Sequence, residues 1–387
     1  MNKKILFHYP IFNIGGAEMS ILRLTRMFAS NGWDVELVCT TGGGELESHL
    51  DPRVKLSTLR SKRSGDKFKA QHSFFGKLLY LPDLLHYTFR RFEEYIKKQK
   101  YRSKHYDAAV ISLHGLSPDF CCNVVNANVV LHWIRNDLAS CDQNAKATRN
   151  IRKYNSKVDE YICVSGTTHN SFTSIFPELT DKATLLYNVI DAEEMRAKAQ
   201  VEFNPFNNST DSLRIVTVCR LLDKAKGLFR MLELHKKLRE NGHDFFWYVI
   251  GEGSDREAIE AKIREFKLND RFILLGQQEN PFPYYKHSDI VAVLSYYEGL
   301  CGVVNEAKVT GKAVIATEVS GIHEQLQNGI NGVIVENNFD AIYDGLESIL
   351  TDKDLREQIT NDYYPKAILN DQHKFEMLTR IISKKKL

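Results

Sequence analysis

The chain has 387 residues, of which 43% are hydrophobic and 26% charged, and its formal net charge is +3. This composition is ordinary for a soluble globular enzyme and excludes a disordered, collagen-like or polytopic membrane protein. The near-zero net charge argues against a general nucleic-acid binder, and the length is two to three times that of a usual domain of about 150 residues.

Short runs of β-branched and aromatic residues alternate with amphipathic helical stretches along the whole chain. Thirteen such runs occur, at 5–9, 35–39, 54–59, 108–112, 129–133, 161–164, 184–187, 213–218, 245–250, 272–275, 290–294, 313–316 and 332–335. This alternation predicts an α/β fold whose parallel sheets carry helices on both faces. Because thirteen strands exceed the usual size of one sheet, we expect two doubly wound, Rossmann-like parallel-sheet domains facing a cleft, with the chemistry in the strand-end loops.

The predicted domain boundary lies in the polar stretch 201–211, which holds Pro205 and three asparagines. It divides the chain into a first domain, residues 1–200, and a second domain, residues 201–361. A last helical stretch at about 362–387 follows the final strand without a sheet partner of its own. We therefore expect two domains and one closing helix.

The loop after the first predicted strand, residues 10–18, contains Gly15 and Gly16 and leads directly into a helical pattern. Adjacent glycines let the backbone approach a ligand, and the N–H groups at a helix start favour an anion. The loop lacks the Gly-x-Gly-x-x-Gly dinucleotide fingerprint. It is either an anion-binding loop or a simple tight turn.

Residues 60–104 are strongly basic, with 13 Lys or Arg against 4 Asp or Glu, so this segment carries +9 and the rest of the chain −6. Nine aromatic residues are interleaved with these charges. Basic and aromatic residues on amphipathic helices suit an anionic membrane surface. A solvated helix pair with a packed aromatic face is the alternative, and RNA binding is a further one, although no recognised RNA-binding motif accompanies the charge.

The seven cysteines are odd in number and form no Cys-x-x-Cys pair. This argues against a disulfide framework or a zinc site and fits a reducing cytosol. No run of 18 apolar residues occurs, so we expect no membrane span. Together with the basic segment, these features predict a cytoplasmic protein that is peripheral on the inner face of the membrane.

The loop after the eighth predicted strand, residues 219–227, carries Arg220 and Lys226 and opens another helix. Two cations beside a helix start can converge on a diphosphate. Two exposed cations at a helix start are the alternative interpretation.

The loop Gly251-Glu252-Gly253 resembles half of a nucleotide-binding turn. Arg256 stands where the third glycine of that fingerprint belongs, and no acidic residue ends a following strand about twenty residues later. We therefore expect a tight strand–helix turn here and no NAD site.

Glu298 lies just after the predicted strand 290–294, and Glu306 lies about two turns into the next helix, with Gly299 and Gly302 between them. Two carboxylates in one cleft can accept hydrogen bonds from the hydroxyls of a sugar. Glycines let backbone amides face a ligand. A simple pair of surface glutamates is the alternative.

The single Asp-x-Asp sequence, Asp352-Lys353-Asp354, is typical of a helix start with acids in the first turn. We expect Thr351 to cap this helix. The sequence therefore predicts no metal site here.

Taken together, these loops resemble the family 4 retaining glycosyltransferases, which have the GT-B fold and build bacterial capsule, exopolysaccharide or lipopolysaccharide. The motifs that carry the resemblance are Gly-Gly-Ala-Glu at 15–18, Asn188-Val189-Ile190-Asp191, Arg220 with Lys226-Gly227, Gly251-Glu252-Gly253, Gly276 with 280–284, Glu298-x7-Glu306, and Gly321 with Glu324. Their order and spacing together are specific and cover essentially the whole chain. The C-terminal half matches better than the N-terminal half.

The resemblance implies an acceptor domain, 1–200 with a crossing helix at 362–387, and a donor domain, 201–361. It implies that Arg220 and Lys226 neutralise the leaving diphosphate, that Glu298 contacts the transferred sugar, and that Glu306 holds the ribose hydroxyls. The complete set of implied donor contacts is Gly16, Arg220, Lys226, Gly276, Gln277, Glu298, Gly299, Leu300, Cys301, Gly302 and Glu306.

One position departs from the pattern of many relatives, which carry Trp-x-His-x-Asp at the end of an N-terminal strand. Here the sequence is Trp133-x-Arg135-x-Asp137, so a cation stands in the place of the imidazole. Arg135 is therefore a candidate catalytic residue, able to bind an acidic sugar or a phosphate-bearing acceptor, or a replacement in a tolerant loop. By strand alternation, His132 points elsewhere.

The implied activity is transfer of a hexosyl or N-acetylhexosaminyl group from a nucleotide-diphosphate sugar, with a UDP-sugar favoured and a GDP-sugar possible, to a glycan or lipid-linked acceptor. No metal is required if fixed cations meet the charge of the leaving group, and no other cofactor is expected. A non-catalytic sugar-nucleotide binding protein with a GT-B shape is the alternative. A Rossmann oxidoreductase is disfavoured by the missing dinucleotide fingerprint.

Overall fold

The computed structural model describes residues 2–60, 73–139, 145–200, 204–206, 212–360 and 364–384. All thirteen predicted runs form strands, which assemble into a seven-stranded and a six-stranded sheet. Every described strand pairing is parallel. The predicted α/β class with two doubly wound, Rossmann-like domains is confirmed.

The first sheet has the strand order β3-β2-β1-β4-β5-β6-β7. Its strands are β1 Lys4–Tyr9, β2 Asp34–Thr41, β3 Val54–Arg60, β4 His105–Ile111, β5 Asn126–Ile134, β6 Glu160–Cys163 and β7 Ala183–Leu185. In β4 every residue after His105 is buried. Helices cover both faces of such a sheet, so its central strands are apolar at consecutive positions rather than at alternate ones.

The second sheet has the strand order β10-β9-β8-β11-β12-β13. Its strands are β8 Leu213–Val218, β9 Phe245–Ile250, β10 Phe272–Gly276, β11 Ile290–Val293, β12 Ala313–Thr317 and β13 Val333–Val335. All six residues of β9 and all four of β11 are buried. The core of this unit therefore lies on both faces of β8, β9 and β11.

Helices connect the strands in both sheets. The described helices are α1 Gly16–Ser30, α2 Phe74–Leu79, α3 Leu81–Ser103, α4 Asp119–Asn123, α5 Ala145–Tyr154, α6 Gly166–Ile175, α7 Ala192–Ala199, α8 Asp223–Lys226, α9 Leu228–Glu240, α10 Arg256–Glu265, α11 Phe282–His287, α12 Gly302–Val309, α13 Ile322–Gln325, α14 Phe339–Thr351, α15 Lys353–Ile359, α16 Lys366–Leu369 and α17 Asp371–Lys384. Short 3-10 helices occur at Glu45–His49 and Pro177–Lys182. In the part of the chain that the structure describes, no helix combines the length and the apolar character needed to cross a bilayer.

The chain divides into two compact units. The first comprises Met1–Val164, His169–Val189 and Gln372–Leu387, and the second comprises Ser165–Thr168 and Ile190–Asp371. The division before Ile190 lies ahead of the predicted boundary between residues 200 and 201, because α7 packs against α11 and α12 of the second unit. Most of the predicted linker, 201–211, lies outside the described residues.

The closing segment also differs from the single helix predicted at about 362–387. It contains two helices, α16 and α17, because the chain leaves helical geometry at Asn370, where ψ is 79°. The second helix packs against α1, with the rings of Phe375 and Phe28 5.4 Å apart. Residues from Gln372 onward therefore belong to the first unit, although the preceding residues belong to the second.

The loops after β8 and β9 run in direct backbone contact. The Leu221 N–H donates to the Glu252 carbonyl at 2.9 Å. A Cβ on Gly251 would lie 1.9 Å from the Cys219 carbonyl oxygen, and one on Gly253 would lie 2.3 Å from that of Leu221. The tight turn expected from Gly251-Glu252-Gly253 is present, and its glycines are needed because any side chain would push the loop after β8 away.

We expect the substitution Gly253→Ala to lower the free energy of unfolding by about 2 kcal/mol, because the new methyl group would collide with a backbone oxygen. Gly115→Ala is the matched control, since nothing lies within 4 Å of a Cβ built at Gly115. Urea unfolding followed by circular dichroism measures both variants. Equal stability of the two would contradict the close contact between the loops.

Candidate active site

Each sheet has one point where the chain reverses its direction of travel across the strands, between β1 and β4 in the first sheet and between β8 and β11 in the second. Loops leaving such neighbouring strands diverge and open a crevice at the carboxyl edge of the sheet, where α/β proteins bind ligands. The predicted residues Arg220 and Lys226 follow β8, and Glu298 follows β11. Three of the predicted donor contacts therefore gather at the switch point of the second sheet.

An ion pair joins the two loops at this switch point. Lys226 Nζ lies 2.5 Å from Glu298 Oε1, and Ser295 Oγ donates a hydrogen bond to the same oxygen at 2.7 Å. Both charged side chains are largely buried, with 23% and 15% of their surfaces exposed. Together with Cys219, Cys301 and apolar side chains of the two strands, they line a small pocket. A cation and a carboxylate thus share one partly enclosed space.

The surroundings of Lys226 fix its charge. Burial is the largest single effect and lowers the pKa of this amine, but the charge and the hydrogen bond of Glu298, with contributions from Cys301 and Cys219, together raise the pKa above its ordinary value. The side chain is therefore an ammonium at neutral pH. Burial raises the pKa of the Cys219 and Cys301 thiols to about 12, so both thiols are neutral at neutral pH.

Arg220, the second predicted cation, behaves differently from Lys226. It is exposed, and no carboxylate of the described residues lies within ion-pair distance of it. Its loop is nevertheless fixed through the backbone, since the Leu222 N–H donates to the Arg220 carbonyl at 2.8 Å. One cation of the predicted pair is engaged by a carboxylate, and the other remains available for an anion.

A buried arginine braces the loop that carries Glu298. Arg230 donates from Nη2 to the Leu294 carbonyl at 2.8 Å and from Nη1 to Asn337 Oδ1 at 2.8 Å. The Asn337 amide in turn donates to the carbonyls of Ser295 and Tyr296 at 3.2 and 3.1 Å. These bonds satisfy the loop carbonyls that β11 leaves unpaired, and they hold the Glu298 loop in one conformation.

Glu306 lies on α12 and has a partner of its own. The Tyr285 hydroxyl, on α11, donates to Glu306 Oε2 at 3.0 Å. Tyr285 is fully buried, so its ring cannot swing away and the carboxylate orientation is fixed. The two predicted carboxylates therefore accept from different groups, Glu298 from Lys226 and Ser295, and Glu306 from Tyr285.

The loop leading into α12 contains four of the predicted donor contacts: Gly299, Leu300, Cys301 and Gly302. The first three are buried, and the fourth is exposed with nothing within 4 Å of a Cβ built on it. The buried Gln325 side chain accepts from the Cys301 N–H at 3.1 Å and donates to the Cys301 carbonyl at 2.8 Å. The Gln325 side chain therefore fixes the start of α12, and Gly302 at this start is open to solvent.

The turn after β10 carries the predicted Gly276 and Gln277. The Gly276 carbonyl accepts from the Gly251 N–H at 2.9 Å, and Gly276 has a φ of +70°, which a side chain would strain. Gln277 is exposed. The turn after β10 therefore contacts the Gly251 turn, which in turn contacts the Arg220 loop. Among the described residues, Gly276 and Gln277 make no hydrogen bond with Lys226 or Glu298.

In the first unit, Arg135 follows β5 and is buried. Its Nε donates to the Ser112 carbonyl at 2.7 Å, and its Nη1 donates to Ser20 Oγ at 3.1 Å and to Asn188 Oδ1 at 3.0 Å. Burial lowers the pKa of Arg135 to about 10, although the charge of Glu18 opposes this. Arg135 therefore remains a cation and joins the end of β4, helix α1 and the Asn188 motif.

Two further candidates of the first unit are Gly16 and His132. Gly16 is exposed at the start of α1, and nothing lies within 4 Å of a Cβ built on it. His132 is fully buried, with Nε2 3.2 Å from the Leu113 carbonyl oxygen, and burial lowers its pKa to about 3. The His132 imidazole is therefore neutral and enclosed in the first unit. Gly16, by contrast, leaves room for a ligand at the start of α1.

The Asp-x-Asp sequence begins a helix, but its cap differs from the prediction. Asp352 Oδ1 accepts from the Leu355 N–H at 2.9 Å, so Asp352 caps α15. Thr351 is instead the last residue of α14, and its hydroxyl donates to the Glu347 carbonyl at 2.9 Å. Within the described ranges, no three His, Cys, Asp or Glu side chains come together as a metal site.

Several residues that hold the site were missed by sequence reasoning. They are Arg230, Tyr285, Ser295, Gln325 and Asn337. Ser295 alone had a local signal, since it precedes Glu298 by three residues at a strand end. The others act over separations of 21 residues or more along the chain, and no spacing within one sequence indicates such contacts.

Two models of known protein families match this chain, one in each half. A family model described as Glycosyltransferase Family 4 matches residues 14–194, and one described as Glycosyl transferases group 1 matches residues 199–364. The first match covers β2 to β7 of the first sheet, and the second covers all six strands of the second sheet. Together they span nearly all of the sequence.

Curated relatives match over part of their length. An N-acetylgalactosamine-N,N'-diacetylbacillosaminyl-diphospho-undecaprenol 4-alpha-N-acetylgalactosaminyltransferase from Campylobacter jejuni is 29% identical over 195 residues, which is 50% of this chain and 51% of the relative. The capsular polysaccharide biosynthesis glycosyltransferase CapM from Staphylococcus aureus is 28% identical over 138 residues, 35% of this chain and 36% of the relative. The chain thus spans about half the length of the first relative and about a third of the second.

Among solved structures, Anabaena HepE in complex with UDP and glucose superimposes with a TM-score of 0.74 and covers 99% of this chain and 100% of its own. Its sequence identity of 14% means that this similarity concerns the fold. With one glycosyltransferase model matching each half and the GT-B fold along the full length, the chain belongs to the family 4 glycosyltransferases.

Proposed function

We propose that the protein is a retaining glycosyltransferase that moves a sugar from a nucleotide-diphosphate sugar to a glycan or lipid-linked glycan acceptor in surface polysaccharide synthesis. A UDP-sugar is favoured over a GDP-sugar. The observation that carries the proposal is the buried Lys226–Glu298 pair at the switch point of the second sheet, with Arg220 exposed on the same loop. Cations suit a diphosphate, and a carboxylate suits sugar hydroxyls.

In the proposed reaction, the bond between the sugar C1 and the diphosphate oxygen breaks, and its electron pair leaves with the nucleoside diphosphate. The acceptor hydroxyl oxygen bonds to C1 on the face from which the diphosphate departs, and its proton passes to the departing phosphate oxygen. Arg220 and Lys226 stabilise the charge that develops on the leaving group. Fixed charges of this kind lower the barrier because they need no reorganisation during the reaction.

Glu298 is suited to hold the transferred sugar. Its Oε1 accepts from both Lys226 and Ser295, whereas its Oε2 makes no hydrogen bond within the described residues. In the proposed complex, Oε2 accepts a hydrogen bond from a hydroxyl of the sugar. Glu306, oriented by Tyr285, holds the ribose hydroxyls of the nucleotide, and the exposed amide at Gly302 approaches the phosphates.

The proposed transfer uses no metal and no other cofactor. The charge of the leaving diphosphate is met by two side chains, one of which is an ammonium held in position by a carboxylate. The nucleotide-sugar itself is a substrate. The transferred group is a hexosyl or N-acetylhexosaminyl unit.

The proposed acceptor class rests on the relatives. The name of the Campylobacter jejuni relative specifies a diphospho-undecaprenol-linked sugar, and that of the Staphylococcus aureus relative specifies capsular polysaccharide. Because each match covers about half of its relative or less, we transfer the acceptor class to this chain and not the particular sugar or linkage.

The first prediction concerns the donor. We expect the purified protein to release UDP from at least one UDP-sugar about tenfold faster than GDP from any GDP-sugar, in the presence of EDTA and without stimulation by Mn²⁺. Detection of released nucleotide measures this. Activity that EDTA abolishes and Mn²⁺ restores would overturn the metal-free proposal. Tight UDP binding without release from any donor would support the non-catalytic alternative, and NAD binding would support an oxidoreductase.

The second prediction concerns Lys226. We expect Lys226→Ala to lower kcat by about 100-fold or more, because the leaving diphosphate loses a preorganised cation. Lys224→Ala is the matched control, since Lys224 is an exposed cation on the same short helix, α8. Thermal unfolding shows whether the unpaired Glu298 destabilises the fold. A folded Lys226→Ala enzyme with the kcat of the control would remove Lys226 from the mechanism.

The third prediction concerns Arg135, which we propose as a positioning residue. Arg135→Ala removes three hydrogen bonds, to Ser112, Ser20 and Asn188, so kcat/KM for transfer is expected to fall by about tenfold. Arg135→Lys should recover part of this loss, because an ammonium can still reach one or two of the three oxygens. Assays well below the melting temperature separate this effect from unfolding. Unchanged kcat and KM in the alanine variant would exclude Arg135 from the site.

A further inference from the structure

The helical segment formed by α2 and α3, residues 74–103, exposes an unusual amount of apolar surface. Eleven large hydrophobic residues are exposed among the side chains that the structure describes, and nine of them lie in this segment. They are Phe74, Phe75, Leu78, Leu79, Leu81, Phe89, Phe92, Tyr95 and Ile96. A concentration of this kind marks an interaction surface rather than the scatter of single apolar residues found on any protein.

The apolar residues of α3 share one side of the helix. Successive residues are about 100° apart, so Phe89, Phe92 and Ile96 fall within about 60° of one another. Tyr101 points to the opposite side, where it is buried and its hydroxyl donates to Glu36 of β2 at 3.2 Å. The helix is thus anchored to the first unit by one face, and the apolar strip lies on the other face, towards solvent.

Three lysines of this segment form ion pairs within the protein. Lys97 pairs with Glu93 at 2.6 Å and Lys98 with Glu94 at 2.7 Å. Lys104 pairs with Glu36 of β2 at 3.4 Å. The acids of the first two pairs are already counted in the net charge of +9 over residues 60–104, so only Glu36, which lies outside that segment, lowers it further. Residues 61–72 of the segment lie outside the described part of the chain.

Three exposed cations of α3 flank the apolar strip. Arg91, Lys100 and Arg102 have no ion-pair partner among the described residues. At about 100° per residue, Arg91 and Arg102 lie beside Tyr95 on one edge of the strip, and Lys100 lies beside Phe89 on the other. Long cationic side chains on both edges of an apolar strip can reach the headgroups while the strip enters the acyl boundary.

We propose that the α2–α3 segment lies flat on an acidic lipid bilayer, with its apolar strip inserted at the headgroup–acyl boundary and the flanking cations on lipid phosphates. A second copy of this chain fits this surface less well than a bilayer does, because pairing two such strips would bring Arg91, Lys100 and Arg102 against like charges. Insertion of apolar side chains, rather than net charge, holds the protein there. The proposal concerns a surface outside the candidate active site and does not depend on the proposed reaction.

Vesicle flotation of the full chain, without donor or acceptor, tests the proposal. We expect binding to vesicles of phosphatidylethanolamine with about 30% phosphatidylglycerol, and weaker binding to phosphatidylcholine alone. Phe92→Ser/Ile96→Ser should lower the partition coefficient about tenfold. Arg91→Gln/Arg102→Gln should lower it a few-fold, at low salt only. Ile330→Ser is the matched control, since Ile330 is exposed but outside the α2–α3 segment.

Three outcomes would overturn the proposal. The first is no vesicle binding by the unmodified protein, or binding of the Phe92→Ser/Ile96→Ser variant equal to that of the Ile330→Ser control. The second is complete release of the unmodified protein at about 0.5 M NaCl, which would mean attachment by charge alone. The third is a dimer that the double serine variant dissociates, together with vesicle binding that the variant leaves intact. Circular dichroism and thermal unfolding confirm that each variant is folded.

Discussion

The ion pair between Lys226 and Glu298 is the interaction on which the candidate active site depends. Burying either charge alone would be strongly unfavourable, so each side chain stays in its place because the other is there. The two carboxylate oxygens of Glu298 also differ: Oε1 accepts hydrogen bonds from Lys226 and Ser295, whereas Oε2 accepts none within the described residues. In the proposed reaction, this arrangement lets a diphosphate share the ammonium while the free carboxylate oxygen accepts from the sugar.

A pair of this kind needs a rigid frame, because a shift of about 1 Å would separate the charges or misplace a substrate. The frame is built largely from backbone contacts. On one side, Gly251 and Gly253 let two loops approach at a distance that no side chain would permit. On the other side, Arg230 and Asn337 donate hydrogen bonds to the backbone carbonyls of the loop that follows β11. The residues that surround the pair are therefore as constrained as the pair itself.

Sequence reasoning predicted the strands well, because both sheets are buried on two faces and their strands are continuous apolar runs. The two compact units divide before Ile190, ahead of the predicted boundary, and the sequence of α7 does not reveal which unit its helix packs against. It placed Arg220, Lys226 and Glu298 near one another, since parallel strands end at the same edge. It did not predict the ion pair, whose members are 72 residues apart. The roles assigned to these residues by family resemblance stay predictions.

The two buried cations show how differently a charge can be accommodated. Glu298 raises the pKa of Lys226, whereas Arg135 has no carboxylate within ion-pair distance in the described chain and burial lowers its pKa. Its charge is spread instead over three neutral oxygens on three separate segments. An imidazole at this position has two ring nitrogens and could not make three such bonds. The arginine thus joins segments that a histidine would leave apart, which favours a positioning role over direct proton transfer.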